Sequence, residues 1–374
     1  MFASALGVFV AVGLISIVFV FTLIGIAASV GSTPDYTPKS NTVYKLTLEG
    51  NLSDNTEENP IAMLMGETDK SLSLKDILSS IQTAKENKNI KGIYIEAKSL
   101  STGSASLEAI RRALNDFKES GKFIIAYSDN YTQGCYYLCS VADKVFLNPQ
   151  GTLGLVGMAS QTMFYKDLLK KVGVEMMIFK VGTYKGAVEP FMLDKLSDAN
   201  REQIQSYIST IWDNVTNGIA ESRKIPVADI NSFANQGYAF SAAEKAVECG
   251  LIDELKYRPE AEEFVKELAG QSDKRLQTAS LSNMKSIKTI SREKADRIAI
   301  LYAEGEIKPE TPSSPYNTEQ AITEKVASEL IKLKNDENVK AVVFRVNSPG
   351  GSAFVSEQIW RQVIELKKVK PIVV

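Results

Sequence analysis

A strand ending at a Glu-Gly pair, a polar loop, a helix and a buried strand occur twice in this chain, in the same order and about 250 residues apart. In the first occurrence Thr42–Glu49 carries Val43, Tyr44, Leu46 and Leu48, reads as a half-buried strand and ends at Gly50. A polar loop runs from Asn51 to about Asp69. Ser73 stands where it would cap a helix with Leu74, Ile77, Ile81 and Ala84 on one face, and Ile90–Ala97 follows as a buried strand. In the second occurrence Arg297–Ala303 leads into Glu304-Gly305, and a loop rich in Pro and Ser follows. A helix then runs through Ala321, Val326, Leu330 and Leu333 before a buried strand over Val339–Val346. Four elements in matching order predict an internal duplication.

The first copy continues with a helix over Leu107–Glu119, a strand over Lys122–Tyr127, a helix over Tyr131–Val141 and a short strand over Lys144–Leu147. Strands alternating with helices predict a layered α/β fold with a largely parallel sheet. In the second copy, Lys370-Pro371-Ile372-Val373-Val374 corresponds to Lys122 onward, the middle of a core strand, so that copy is expected to be incomplete in this sequence.

Ahead of the repeat, residues 1–30 carry no charged side chain. A helix crossing a bilayer needs roughly 20 apolar residues, whereas a cleaved signal peptide has an apolar core of roughly 7–15 residues behind a basic stretch. The expectation is therefore an uncleaved transmembrane anchor over 1–30 and a tether over 31–41. The first copy is placed at 42–290 and the second at 291–374. The first basic residue is Lys39, so charge bias does not fix the orientation.

Composition narrows the chemistry. The chain has no histidine, which excludes a Ser–His–Asp triad and His-based zinc sites and leaves lysine as the leading candidate base. With 43 basic and 45 acidic side chains and no basic block, no nucleic-acid partner is expected. Cys135, Cys139 and Cys249 lack redox or zinc spacing and are read as small apolar residues, so neither a metal nor a cofactor is expected.

Two segments stand out. One is Phe179–Phe191, containing Gly182-Thr183-Tyr184-Lys185-Gly186-Ala187-Val188-Glu189-Pro190. The other is Asn347-Ser348-Pro349-Gly350-Gly351-Ser352, directly after a buried strand. Glycines at a strand's C-terminal end bring bare backbone N–H groups to the mouth of a parallel sheet, where an oxyanion or a peptide backbone can be held. The plainer alternative is a tight turn that needs positive φ. Ser348 and Ser352 read as turn residues, Tyr136, Tyr137 and Trp212 as packing residues. The helix from about Asp198 to Ser222 should have a core face of Ile204, Ile208, Ile211, Val215 and Ile219.

The lysine segment closely resembles the lysine motif of the signal peptide peptidase A (protease IV) family, and the glycine turn resembles that of the same family within the Clp/crotonase superfamily. The resemblance implies a tandem-duplicated Clp/crotonase-like α/β fold and a membrane-bound serine endopeptidase working through a Ser–Lys dyad. Lys185 would be the general base, buried so that its amine can deprotonate, and Gly350 and Gly351 would supply oxyanion or substrate-backbone donors. Gln133 stands at the nucleophile's position in the first copy. Projecting the spacing from Lys122 to Gln133 onto Lys370 puts the serine about seven positions past Val374, so residues 1–374 alone are expected to be inactive. The implied substrates are signal peptides and other apolar peptides. The implied setting is a homo-oligomer in the bacterial inner membrane with a periplasmic catalytic domain. An acyl-CoA hydratase or isomerase of the related fold and a non-catalytic membrane scaffold are the competing readings.

Overall fold

The computed structural model describes residue 7 and residues 13–17, 35–56, 71–271, 275–287, 296–310 and 321–374. The expected anchor over 1–30 lies largely outside the described residues. Among those described, no helix is long and apolar enough to cross a membrane. The chain forms two compact units. The larger comprises Ser40–Glu49 and Ile81–Ser280; the other comprises Met1–Lys39, Gly50–Ser80 and Leu281–Val374.

Strand β1 (Thr42–Ser53) contributes Thr42–Glu49 to the larger unit. Its far end belongs to the other unit, where Asn51–Ser53 pairs in parallel with β2 (Ser71–Ser73). The strands that follow are β3 (Ile90–Ser101), β4 (Phe123–Ser128), β5 (Tyr131–Thr132), β6 (Lys144–Leu147), β7 (Leu153–Gly154), β8 (Glu254–Leu255) and β9 (Thr278–Ala279). The larger unit's sheet runs β1-β3-β4-β6-β8, with β9 paired to β1. The β3–β4, β4–β6, β6–β8 and β1–β9 pairings are parallel, and β5 and β7 form a separate parallel pair. Parallel neighbours require helical crossovers, and these cover the sheet. Helix Ser104–Lys118 buries Ile110, Leu114 and Phe117. Helix Arg258–Leu268 packs Ala261 and Val265 on Val43, Tyr94, Ile125, Tyr127 and Phe146.

In the other unit β10 (Arg297–Glu304), β11 (Glu306–Ile307), β12 (Ala321–Ile322), β13 (Val339–Asn347) and β14 (Ile372–Val373) follow. They form a parallel sheet in the order β10-β13-β14 and a β11–β12 pair. Helices Glu324–Asn335 and Ala353–Lys367 bury Leu330, Val355, Ile359 and Leu366 against Val339, Val342 and Phe344. On the same strands Ile298, Ile300 and Val343 are exposed.

Several local devices occur in both sheets. Gly50 and Gly305, the glycines of the two Glu-Gly pairs, have φ of 95° and 102°. The Lys122 ammonium donates to the carbonyls of Ala84, Lys85 and Asn87 at the end of helix Leu74–Glu86. Lys370 likewise donates to those of Leu333 and Asp336 at the end of helix Glu324–Asn335. A cation there complements the unpaired carbonyls and the negative end of the helix dipole. The Asn87 side chain accepts from the N–H of Asn89 at 2.9 Å, and Asp336 accepts from Asn338 at the same distance.

The structure extends or trims several sequence-based boundaries. β1 continues through Gly50 to Ser53, because a glycine at positive φ redirects this strand without ending it. β3 runs to Ser101 and not Ala97. The helix expected over Tyr131–Val141 is Gln133–Cys139, capped by the Thr132 hydroxyl. Ala321 lies in β12 and not in a helix, since Thr323 caps the helix that starts at Glu324. Helix Asp198–Arg223 forms, but of its expected core face only Val215 and Ile219 are buried; Ile204, Ile208 and Ile211 are half-buried.

That helix is held by Arg111, which is 5% exposed. Its guanidinium donates to the Tyr137 and Gly218 carbonyls and to the Ser140 and Ser222 hydroxyls, and lies 4.5 Å over the Tyr137 ring. A Cβ at Gly218 would stand 2.8 Å from the Tyr137 ring. One buried cation thus joins three helices. Arg111→Leu should destabilise the larger unit by about 3 kcal/mol, because buried acceptors lose their donor. Urea unfolding followed by Trp212 fluorescence in a Trp360→Phe background would read this as a lower midpoint; an unchanged midpoint contradicts it.

Candidate active site

Lys185 belongs to the larger unit and immediately precedes the 3-10 turn Gly186–Val188, which runs into the short helix Glu189–Met192. Ser197 then caps the 26-residue helix Asp198–Arg223. The Lys185 N–H reaches the Gly182 carbonyl at 3.4 Å, and Gly182 has φ of 96°. The segment is fastened at Glu189, whose side chain is 0% exposed. Its carboxylate accepts from the Ser197 N–H at 3.1 Å, the Ser197 hydroxyl at 2.6 Å and the Asn200 amide at 3.0 Å. Lys180 lies 3.6 Å away as its ion pair. Desolvation pushes the Glu189 pKa up, but the Ser197 and Asn200 hydrogen bonds and the Lys180 charge outweigh it and hold the pKa at about 2.

Lys185 itself is exposed, which corrects the expectation of a buried amine. Its apolar neighbours do not pack over it: Phe179 is 87%, Val181 90% and Tyr184 52% exposed. Among the described residues no carboxylate stands within ion-pair distance of Lys185, since Glu189 pairs with Lys180.

Gly350 and Gly351 lie together in the other unit, after β13, with φ of 109° and 146°. The Gly350 N–H donates to the Ser348 hydroxyl at 3.1 Å, and its carbonyl accepts from Ile307 N–H at 2.9 Å. The Ile307 carbonyl in turn accepts from Ser352 N–H at 2.7 Å. A Cβ at Gly351 would stand 2.0 Å from the Ile307 carbonyl oxygen, so only glycine fits this contact with β11. The Ser352 hydroxyl caps helix Ala353–Lys367. Both serines therefore serve the turn, as the sequence reading expected. The strand end beneath it is braced by Arg345, which grips the buried Asp54 carboxylate through two hydrogen bonds of 2.7 and 2.6 Å. Glu304, whose pKa burial raises, accepts from the Asp54 N–H.

Gln133 stands at the start of helix Gln133–Cys139. Its side-chain oxygen accepts from the N–H groups of Val156 and Gly157 at 3.2 and 3.1 Å, while its amide donates to the Gly157 carbonyl at 3.3 Å. Cys135 and Cys139 are buried and Cys249 half-buried, all as free thiols. Among the described residues no group of Cys, Asp and Glu is arranged to hold a metal ion. Sequence reasoning missed Ser197, Asn200, Asp54 and the anchoring role of Glu189. The only available signal was a Ser placed to cap the helix three residues ahead of Asn200.

Two outcomes follow from these geometries. Gly351→Ala should disrupt the turn and cost about 3 kcal/mol or more, whereas Gly350→Ala, with open space around its Cβ, should cost about 1 kcal/mol; thermal unfolding of the two variants would show the difference. The Glu189 carboxyl has a folded pKa below its unfolded one, so its contribution is complete above about pH 4.5 and is lost as pH falls through about 2. Hydrogen exchange at the Ser197 amide should accelerate across that window in the wild type and lose this pH dependence in Glu189→Gln.

Residues 116–272, a span that contains Lys185, match Peptidase family S49. Protease 4 of Haemophilus influenzae is 32% identical over 378 residues, covering 95% of this chain and 60% of that protein. Protease 4 of Salmonella typhi is 36% identical over 312 residues, covering 81% and 50%. The chloroplastic serine protease SPPA of Arabidopsis thaliana is 30% identical over 347 residues, covering 90% and 49%. The chain thus spans about half to three-fifths of the length of these curated relatives. The lysine-bearing span thus carries the match to Peptidase family S49, and the chain resembles Protease 4 and signal peptide peptidase proteins over most of its own length.

Proposed function

We propose that this chain is the membrane-anchored, lysine-bearing part of a serine endopeptidase with a tandem-duplicated Clp/crotonase-like fold. The matched devices of the two sheets support the duplication: the glycines of the Glu-Gly pairs, the Asn87 and Asp336 turns, and the Lys122 and Lys370 caps. Lys185 acts as general base. The nucleophilic serine is contributed by the second repeat, in the part of the relatives' length that this chain does not span. Attack of the serine hydroxyl on the scissile carbonyl delivers its proton to the Lys185 amine. The oxyanion is held by N–H groups of the Gly350–Gly351 turn, and the amine returns the proton to the leaving nitrogen. For Gly350 this requires its N–H to leave the Ser348 hydroxyl.

The observation that carries this reading is the state of Lys185: a lysine in an anchored segment whose nearby carboxylate is already committed to another lysine. A base must be free of an ion pair that would hold its proton. The exposed apolar residues around it, Phe179, Val181 and Tyr184, support burial of the amine against another protein surface, in keeping with a homo-oligomer. Residues 1–30 serve as the anchor in the bacterial inner membrane, with the catalytic part in the periplasm. Signal peptides left in the membrane and other apolar peptides are the substrates.

In the full-length protein, Lys185→Ala should lower peptidase turnover by at least about 10²-fold while leaving the thermal melt unchanged. Lys185→Arg should be equally inactive, because a guanidinium does not deprotonate at usable pH. An active Lys185→Ala enzyme would exclude the assignment. A fluorophosphonate probe should label the full-length protein on a serine of the second repeat and leave residues 1–374 unlabelled.

A further inference from the structure

We propose that Glu189 is a positioning residue for Lys185, fastening the segment that carries the lysine to the N-terminus of helix Asp198–Arg223, with Lys180 as its counter-ion. The proposal rests on the reading of Lys185 as the base. Lys185 has an exposed side chain, its N–H reaches the Gly182 carbonyl at 3.4 Å within its own loop, and it is the N-cap of the 3-10 turn that follows. Its place is set by what lies on its C-terminal side. Asn200 acts there twice. Its amide donates to the Glu189 carboxylate, and its side chain lies where a Cβ on Gly186 would be, 2.4 Å away. Gly186 directly follows Lys185, so one residue of the long helix fixes the lysine's neighbour and the carboxylate together. Ser197 adds two donors from the cap of the same helix.

The carboxylate must also not capture the proton of the lysine it positions. Glu189 is four residues from Lys185, and an uncompensated anion at that range would favour the charged amine. Lys180, at 3.6 Å, neutralises it. The other charged groups around the segment include Glu202, which accepts from the Tyr184 hydroxyl at 3.2 Å, Asp198 in the first turn of the helix, and Asp194, which is paired with Lys166 at 2.8 Å. A purely structural Glu189 would influence stability; a positioning Glu189 influences the rate and its pH dependence.

Steady-state hydrolysis of an apolar peptide by the full-length protein, measured against pH, separates these. Glu189→Gln should lower kcat about 10- to 100-fold with KM unchanged within about 2-fold, the effect expected when a catalytic group is misplaced by about an ångström. Lys180→Met should shift the ascending limb of the kcat/KM profile to higher pH by about 0.5–1 unit with little change in the melt. Ser197→Ala, which removes one donor from the carboxylate, should show the same kcat-selective loss at about 3-fold and serves if Glu189→Gln does not fold. Wild-type kcat in a folded Glu189→Gln or Ser197→Ala enzyme, together with an unshifted profile in Lys180→Met, overturns the proposal. Lys185→Ala run in parallel keeps the two readings apart. Activity in that variant removes the base itself, whereas an inactive Lys185→Ala beside normal Glu189, Ser197 and Lys180 variants removes only the positioning role.

Discussion

A parallel sheet requires each strand to be entered from the same edge, so every crossover helix must end where the next strand begins. That junction brings the negative end of a helix against a strand start, and both units solve it with a lysine. Lys122 and Lys370, each at the start of the neighbouring strand, place an ammonium among the last carbonyls of the helix that leads into β3 or β13. The Asx turns at Asn87 and Asp336 then reverse the chain into β3 and β13. With the entry edge closed in this way, the opposite edge is where the chain is free to vary. Gly305, the Gly350–Gly351 turn and the start of helix Gln133–Cys139 all follow strand ends, where ligands meet α/β sheets.

The two strand-end sites differ in how they are closed. The Gly350–Gly351 turn is tied on one side to β11 and capped by Ser348 and Ser352, leaving bare backbone after β13. In the larger unit the N–H groups of Val156 and Gly157 are taken up by the Gln133 side chain, whose carboxamide pairs with them much as a peptide group would. A side chain that satisfies its neighbours in this way is a structural brace at this strand end, which is consistent with the proposed reading that the nucleophilic hydroxyl is supplied by the second repeat.

Much of this was legible in the sequence because it is local. The alternation in Thr42–Glu49, the cap at Ser73, the strand at Lys144–Leu147 and the turn role of Ser348 and Ser352 depend on residues a few positions apart. Failures arose where the deciding partner is distant or where one residue type has two uses. Gly50 was read as a stop because glycine commonly ends strands, yet here its positive φ lets β1 continue. Ile204, Ile208 and Ile211 have helical spacing, but periodicity gives only the face of a helix, not whether anything covers it. The burial that the resemblance implied for Lys185 is not present in this chain, since apolar neighbours in sequence do not bury a side chain unless a surface closes over them. Asp54 and Arg345, 291 residues apart, gave no signal at all.

The exposure of Lys185 and the burial of Glu189 form one arrangement. Fixing a carboxylate out of water is unfavourable unless its lone pairs and its charge are both satisfied, and Glu189 meets this with Ser197, Asn200 and Lys180. The segment is therefore secured where it joins its own helix and exposed at its neighbours Phe179, Val181 and Tyr184, which is the form a half-site would take under the proposed reading of Lys185. Preorganisation of this kind lets the covering surface supply desolvation alone. If Lys185 is the base, the long helix already meets the ordering of its segment, and removal of water around the amine is what a covering surface would add.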